Sequence, residues 1–133
     1  MSKGPEPTWV PATAVRAMHH QQILEHGGLQ GIRSATALEA ALARPQQRWS
    51  YGELTTIPQL AAAYAEALTR AHPFADGNKR SGFLVGVVFL GLNGFRFTAS
   101  NEDVVLMIRR LAAAELPWAD LLAWFDANSS KVP

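Results

Sequence analysis

Between Gly82 and Leu92 the chain reads GFLVGVVFLGL, a run without one polar side chain, closed by Asn93-Gly94. A helix that is apolar on every side is stable in water only where other elements cover it, so this segment belongs at the centre of a domain with further helices packed around it. It falls well short of the ~20 residues needed to span a bilayer, and no membrane association is expected. The whole chain has 133 residues, room for one domain and one core. Hydrophobic residues make up 48% and charged residues 17%, which excludes the low-hydrophobicity, high-charge composition of a disordered chain.

Helix signals account for most of the remainder. Val15, Met18 and Ile23 recur at helical spacing between Thr13 and His26, and Gly27-Gly28 supplies a stop. Ser34 is an N-cap for Ala35 to Arg44, and Pro45 is expected to end that helix. Residues 46–57 (QQRWSYGELTTI) mix aromatic, β-branched and polar residues around Gly52 and suit a short β-hairpin flap. Pro58 fits the first turn of a helix to about Ala71, with Leu60, Tyr64 and Leu68 on one face. Ser100 with Asp103 starts another helix, carrying Val104, Val105, Ile108 and Leu111, and Pro117 begins a short last one through Phe125. The expected fold is all-α, a compact single domain over residues 1–133 arranged around the central apolar helix. Residues 1–11 are expected as a flexible lead-in and 128–133 as a flexible tail.

The charge balance restricts the function. Twelve Lys and Arg against eleven Asp and Glu leave +1, too little for a global attraction to nucleic acid or an anionic membrane. The absence of cysteine removes disulfides, thiolate metal sites and cysteine nucleophiles together and fits a reducing compartment, so the cytoplasm is expected. Trp9, Trp49, Trp118 and Trp124 are scattered with no basic stretch among them, which speaks for packing and against a nucleic-acid platform. His19 and His20 have no carboxylate or third His at metal-ligand spacing and remain without a role.

One segment is chemically dense. His72-Pro73-Phe74-Ala75-Asp76-Gly77-Asn78-Lys79-Arg80 runs into the start of the central helix, where main-chain N–H groups lack intrahelical partners and carry the positive end of the macrodipole. Gly77 permits close backbone approach, Asn78 can cap, and Lys79 and Arg80 add two cations, a pattern suited to a polyphosphate. Asp76 opposes an anion unless a divalent cation lies between them, and so predicts Mg²⁺. His72, the imidazole of the segment, is the general-base candidate; Phe74, two residues from both His72 and Asp76, is expected to point inward and anchor the loop. Taken singly, each residue also has a plain structural explanation: Asp76 and Asn78 as caps, Lys79 and Arg80 as solvated first-turn residues, and His72 as a helix C-terminal residue. Capping needs only one of them.

The segment HPFADGNKR resembles the signature of the Fic/Doc superfamily, a His-x-Phe-x-Asp/Asn-Gly/Ala-Asn loop leading into a central helix. Lys79-Arg80 after Asn78, together with Gly27-Gly28, Gly31-Ile32-Arg33 and Ala43-Arg44-Pro45, is similar to the death-on-curing (Doc) toxin branch, over about residues 12 to 127. The resemblance implies an all-α bacterial toxin that transfers the γ-phosphate of ATP to a threonine of elongation factor Tu and halts translation, with a small antitoxin as neutralising partner. It implies His72 as the base on the target hydroxyl, Asp76 as the Mg²⁺ ligand, and Asn78, Lys79, Arg80 and the loop amides of Gly77 and its neighbours as the phosphate holders. AMP-transferring Fic enzymes have Gly where Lys79 stands and a further Arg where this chain has Phe83, so phosphoryl transfer is expected ahead of AMP transfer. Their inhibitory Ser/Thr-x-x-x-Glu-Gly/Asn helix is absent, since Asp103 follows Thr98 to Glu102, and inhibition is expected from another chain. A catalytically silent binding module is the remaining alternative.

Overall fold

A computed structural model of the chain describes residues 4–113 and 116–133. Its elements, in order, are α1 (Ala12–His26), α2 (Ala35–Ser50), α3 (Ile57–Ala71), α4 (Asn78–Leu92), β1 (Phe95–Phe97), α5 (Asn101–Ala112), α6 (Trp118–Ala127) and β2 (Ser129–Lys131). The apolar segment forms α4, which buries Phe83, Val85, Phe89 and Leu90 at the centre of the array. Its main partner is α3, whose buried face is made of Ala61, Ala62, Ala63 and Ala65 between Leu60 and Leu68. The two backbones approach closely because both are bare at the contact. A Cβ built on Gly86 would lie 2.7 Å from the Ala61 carbonyl oxygen, and one on Gly82 would lie 3.0 Å from that of Ala65. Against this pair, α2 and α6 pack on α3 while α1 packs on α4.

Local sequence explains the ends of the helices. Ser34 Oγ accepts the Ala37 N–H at the start of α2, and Ser100 Oγ accepts the Asp103 N–H at the start of α5. Thr56 and Gln59 form a reciprocal capping box at α3.

Three expectations need correction. The helix expected to stop at Pro45 runs on to Ser50, and no hairpin flap exists at 46–57. Pro45 is fully buried, and beyond it Trp49 meets Trp9 edge-on while Arg48 lies over the Trp118 ring and pairs with Glu53 and Glu66. These contacts offset the hydrogen bond that a proline removes from a helix interior. The lead-in is seated from Thr8 onward: Asn93 grips the Thr8 main chain through both its amide atoms, Trp9 stacks on Phe89, and Val10 is buried. Residues 1–3 of that lead-in lie outside the described residues. The C-terminal stretch is no free tail at residues 129–131, because β2 pairs antiparallel with β1 in the register Phe95↔Lys131 and Phe97↔Ser129. The sheet shields an aromatic cluster in which Phe97 meets Phe83, Trp124 and Phe125.

Two outcomes follow from this packing. Gly86→Ala places a methyl against a main-chain carbonyl that cannot rotate away, so the denaturant midpoint should fall by the equivalent of about 1–3 kcal/mol; an unchanged midpoint would mean that the helices are not in close contact there. Tyr64 is buried beside them, and burial raises its phenol above the ordinary value of 10.0, against the lowering effect of the Val10 N–H that its oxygen accepts. The folded state therefore holds this proton more tightly than the unfolded chain, so its contribution is complete below about pH 10 and is lost as pH rises through the raised value. Denaturant midpoints from about pH 8 to about pH 11 should show that loss in the wild type and a smaller one in Tyr64→Phe.

Candidate active site

The dense segment forms the connection between the C-terminus of α3 and the N-terminus of α4, so two closely packed helices hold it at both ends. His72 ends α3 in the left-handed region (φ 50°, ψ 54°), and among the described residues no other non-glycine residue has positive φ. Such a conformation persists when the surroundings over-determine it. Here Arg33 does so, its Nε donating to the His72 carbonyl (2.6 Å) and its Nη2 to that of Ala71 (2.9 Å). The main chain of the same segment runs beside the loop: Arg33 and Ser34 N–H groups donate to the Pro73 carbonyl, Ala75 N–H donates to the Gly31 carbonyl, and Ile32 bridges Phe74.

Phe74 is 1% exposed and lies flat against the His19 ring, with centroids 3.8 Å apart and planes within 5°. Asn78, 4% exposed, ties the loop to itself: Oδ1 accepts the Phe74 N–H (2.9 Å) and Nδ2 donates to the Phe74 carbonyl (3.1 Å). These two bonds fix which end of the amide faces which way, so Nδ2 also points at His72 Nδ1 at 3.0 Å. The Asn78 side chain is thus committed to the loop, and what this residue offers an anion is its main-chain N–H. The imidazole of His72 is exposed and in this arrangement accepts at Nδ1, which leaves the proton of the neutral ring on Nε2.

Asp76 and Gly77 complete the turn. The Asp76 carboxylate accepts from Gly77 N–H at Oδ1 (2.9 Å) and from Leu29 N–H at Oδ2 (3.3 Å). Gly77 takes φ 72° as the N-cap of α4, and no side chain caps that helix. Neither Asp76 nor Asn78 serves as the cap that a purely structural explanation requires, and the positive end of α4 opens on solvent with Lys79 and Arg80 in its first turn. Neither cation enters an ion pair among the described residues. A cavity of about 240 Å³ lies over this end, lined by His72, Asp76, Gly77, Asn78, Lys79, Arg80 and Ile108. A second of about 450 Å³ adjoins it through His72 and Lys79 and has Glu66, Thr69, Leu111, Trp118 and Leu121 in its walls.

One carboxylate is available to a metal, and among the described residues no group of three or more His, Asp and Glu could hold one. Each Asp76 oxygen accepts a single hydrogen and keeps a second lone pair. That donor set fits Mg²⁺, which is commonly held by one or two carboxylates together with substrate phosphates.

Sequence reading overlooked the outer supports. His19 is buried through the same four-residue spacing that buries Val15 and Ile23 on α1, a signal present in the chain. Arg33 and Leu29 carried no such signal, since their partners are main-chain atoms distant in sequence.

Loop, helix and cavity bring an uncapped helix start, two cations and an imidazole together on the connection between two central helices. Residues 9–90 match the Fic/DOC family, and the chain belongs to it. Among curated proteins it is similar to Protein kinase doc of Escherichia phage P1, 36% identical over 65% of this chain and 68% of that protein. It is likewise similar to Toxin Doc of Mycolicibacterium smegmatis, 40% identical over 57% of this chain and 59% of that protein. These relatives put it on the Doc side of the family. No helix of the described residues is long and apolar enough to cross a membrane.

The orientation of Asn78 has a spectroscopic consequence. Long-range ¹⁵N correlation spectra of the neutral protein should show His72 as the Nε2–H tautomer; an Nδ1–H ring would mean that the Asn78 amide is not held by Phe74.

Proposed function

We propose that this chain is a Doc-type toxin that transfers the γ-phosphate of ATP to a hydroxyl of a translation protein, with elongation factor Tu as the target, and that a small antitoxin protein neutralises it. The observation that carries this reading is the uncapped, cation-bearing start of α4 facing a cavity beside an exposed histidine. Similarity to a protein named as a kinase supports the choice of reaction.

In this reading the main-chain N–H groups of Asn78 to Arg80, which follow Gly77, together with the Lys79 and Arg80 side chains, hold the phosphates by the combined effect of helix dipole and charge. Asp76 would hold Mg²⁺, which would supply positive charge to offset that of the phosphates. The target hydroxyl lies over His72; its oxygen forms the new bond to the γ-phosphorus, the bond to ADP breaks, and the hydroxyl proton passes to Nε2. That step requires the Nδ1–H form of the ring, so substrate entry is accompanied by loss of the Asn78 contact, in keeping with catalytic hydrogen bonds that rearrange on binding.

Phe83 bears on the choice between phosphoryl and AMP transfer. The position that carries an Arg in AMP-transferring relatives is here 5% exposed and packed among Phe97, Trp124 and Phe125, away from the cavity lining. A phosphate-binding cation has no counterpart there.

Mass spectrometry of translation proteins incubated with the chain and Mg·ATP should find a phosphate adduct; an adenylyl adduct would support AMP transfer, and no adduct would refute both. His72→Ala should slow transfer by about 10²–10⁴-fold with the denaturant midpoint nearly unchanged. If growth arrest in a bacterial host were the same for wild type and His72→Ala, the chain would be a binding module without catalysis.

A further inference from the structure

We infer that His19 is a positioning residue for the anion site, acting through Nε2–H on the Asp76–Gly77 peptide. His19 lies on α1, 57 residues from Asp76 in the chain, and is 3% exposed. Its Nε2 is 2.8 Å from the Asp76 carbonyl oxygen. A carbonyl only accepts, so the proton is on Nε2. The other side of the same residue is held from the turn that follows α1, where Leu29 N–H donates to Asp76 Oδ2. That hold depends on Gly28, at φ 118°, since a Cβ there would lie 2.7 Å from Oδ2. One helix and its C-terminal turn therefore grip Asp76 at both its carbonyl and its carboxylate.

The consequence reaches α4 because the peptide after Asp76 leads directly into its N-cap. Gly77 lies against α1 as well: its Cβ position would be 3.0 Å from Ile23 Cδ1 and 3.9 Å from the His19 ring. Rotation of the Asp76–Gly77 peptide would turn the carboxylate and the first N–H groups of α4 together, so one hydrogen bond sets both the candidate metal ligand and the anion donors. Histidine suits the place because it combines a flat ring for the stack on Phe74 with a donor at the ring's far end. A phenyl ring keeps the first property alone. A glutamine keeps the second, with its amide nitrogen near where Nε2 stood.

The inference rests in part on the reading of the loop as a Mg·ATP site, so its test has one arm without nucleotide. In His19→Phe, hydrogen exchange at the Gly77 and Leu29 amides should accelerate about tenfold, and Mg·ATP affinity by calorimetry should fall by a similar factor, the size expected for one hydrogen bond. His19→Gln should restore both. Exchange unchanged in His19→Phe overturns the inference, and so does a His19→Gln protein as impaired as His19→Phe, since returning a donor would then not return the held peptide. If the two variants differ in exchange as described while the wild type binds no nucleotide, the positioning role stands and the proposed reaction falls.

Discussion

The contact between α3 and α4 is the constraint on which the other features depend. Helix axes can approach this closely only where side chains are absent, and the chain provides that with Gly82 and Gly86 set against the carbonyls of Ala61 and Ala65. The approach leaves α4 surrounded by protein, as an all-apolar helix requires. It also brings the C-terminus of one helix beside the N-terminus of the next, with a short connection between them. The candidate site is that connection.

A loop between two rigid helix ends can still turn about its own bonds, and a second set of interactions removes that freedom. Asn78 closes it from within through the Phe74 main chain. Arg33 holds the His72 end, while His19 and Leu29 hold the Asp76 end. Nearly all of these are bonds to main-chain atoms, which place a backbone more firmly than contacts between flexible side chains. The left-handed residue His72 and the left-handed Gly77 bracket the segment. Side chains and N–H groups on such a frame are held in place before any ligand is present.

Electrostatically the molecule is local in its effect. The net charge of +1 gives little long-range field, whereas Lys79, Arg80 and the uncapped end of α4 concentrate positive potential at one cavity. The charge of Asp76 beside that end disfavours an anion that brings no cation with it. The larger adjoining cavity, apolar along Leu111, Trp118 and Leu121, extends away from the start of α4.

Much of this was legible in the chain. Helical periodicity, the caps at Ser34 and Ser100 and the apolar run at 82–92 are local signals, set by neighbours three or four residues away, and they placed the central helix and the dense loop before it. The loop's residue types pointed to the family for the same reason, being contiguous in sequence. Elements whose stability comes from distant partners were not legible. Pro45 marks a helix end by local rules, yet packing of Trp49 and Arg48 carries α2 past it; Ser129–Lys131 has no strand pattern and becomes one because β1 lies alongside. His19 shows the difference most directly. Its spacing with Val15 and Ile23 places it on the buried face of α1, but only the tertiary structure could bring it to Asp76, because a hydrogen bond to a main-chain carbonyl 57 residues away leaves no trace in the identity of the residue that accepts it.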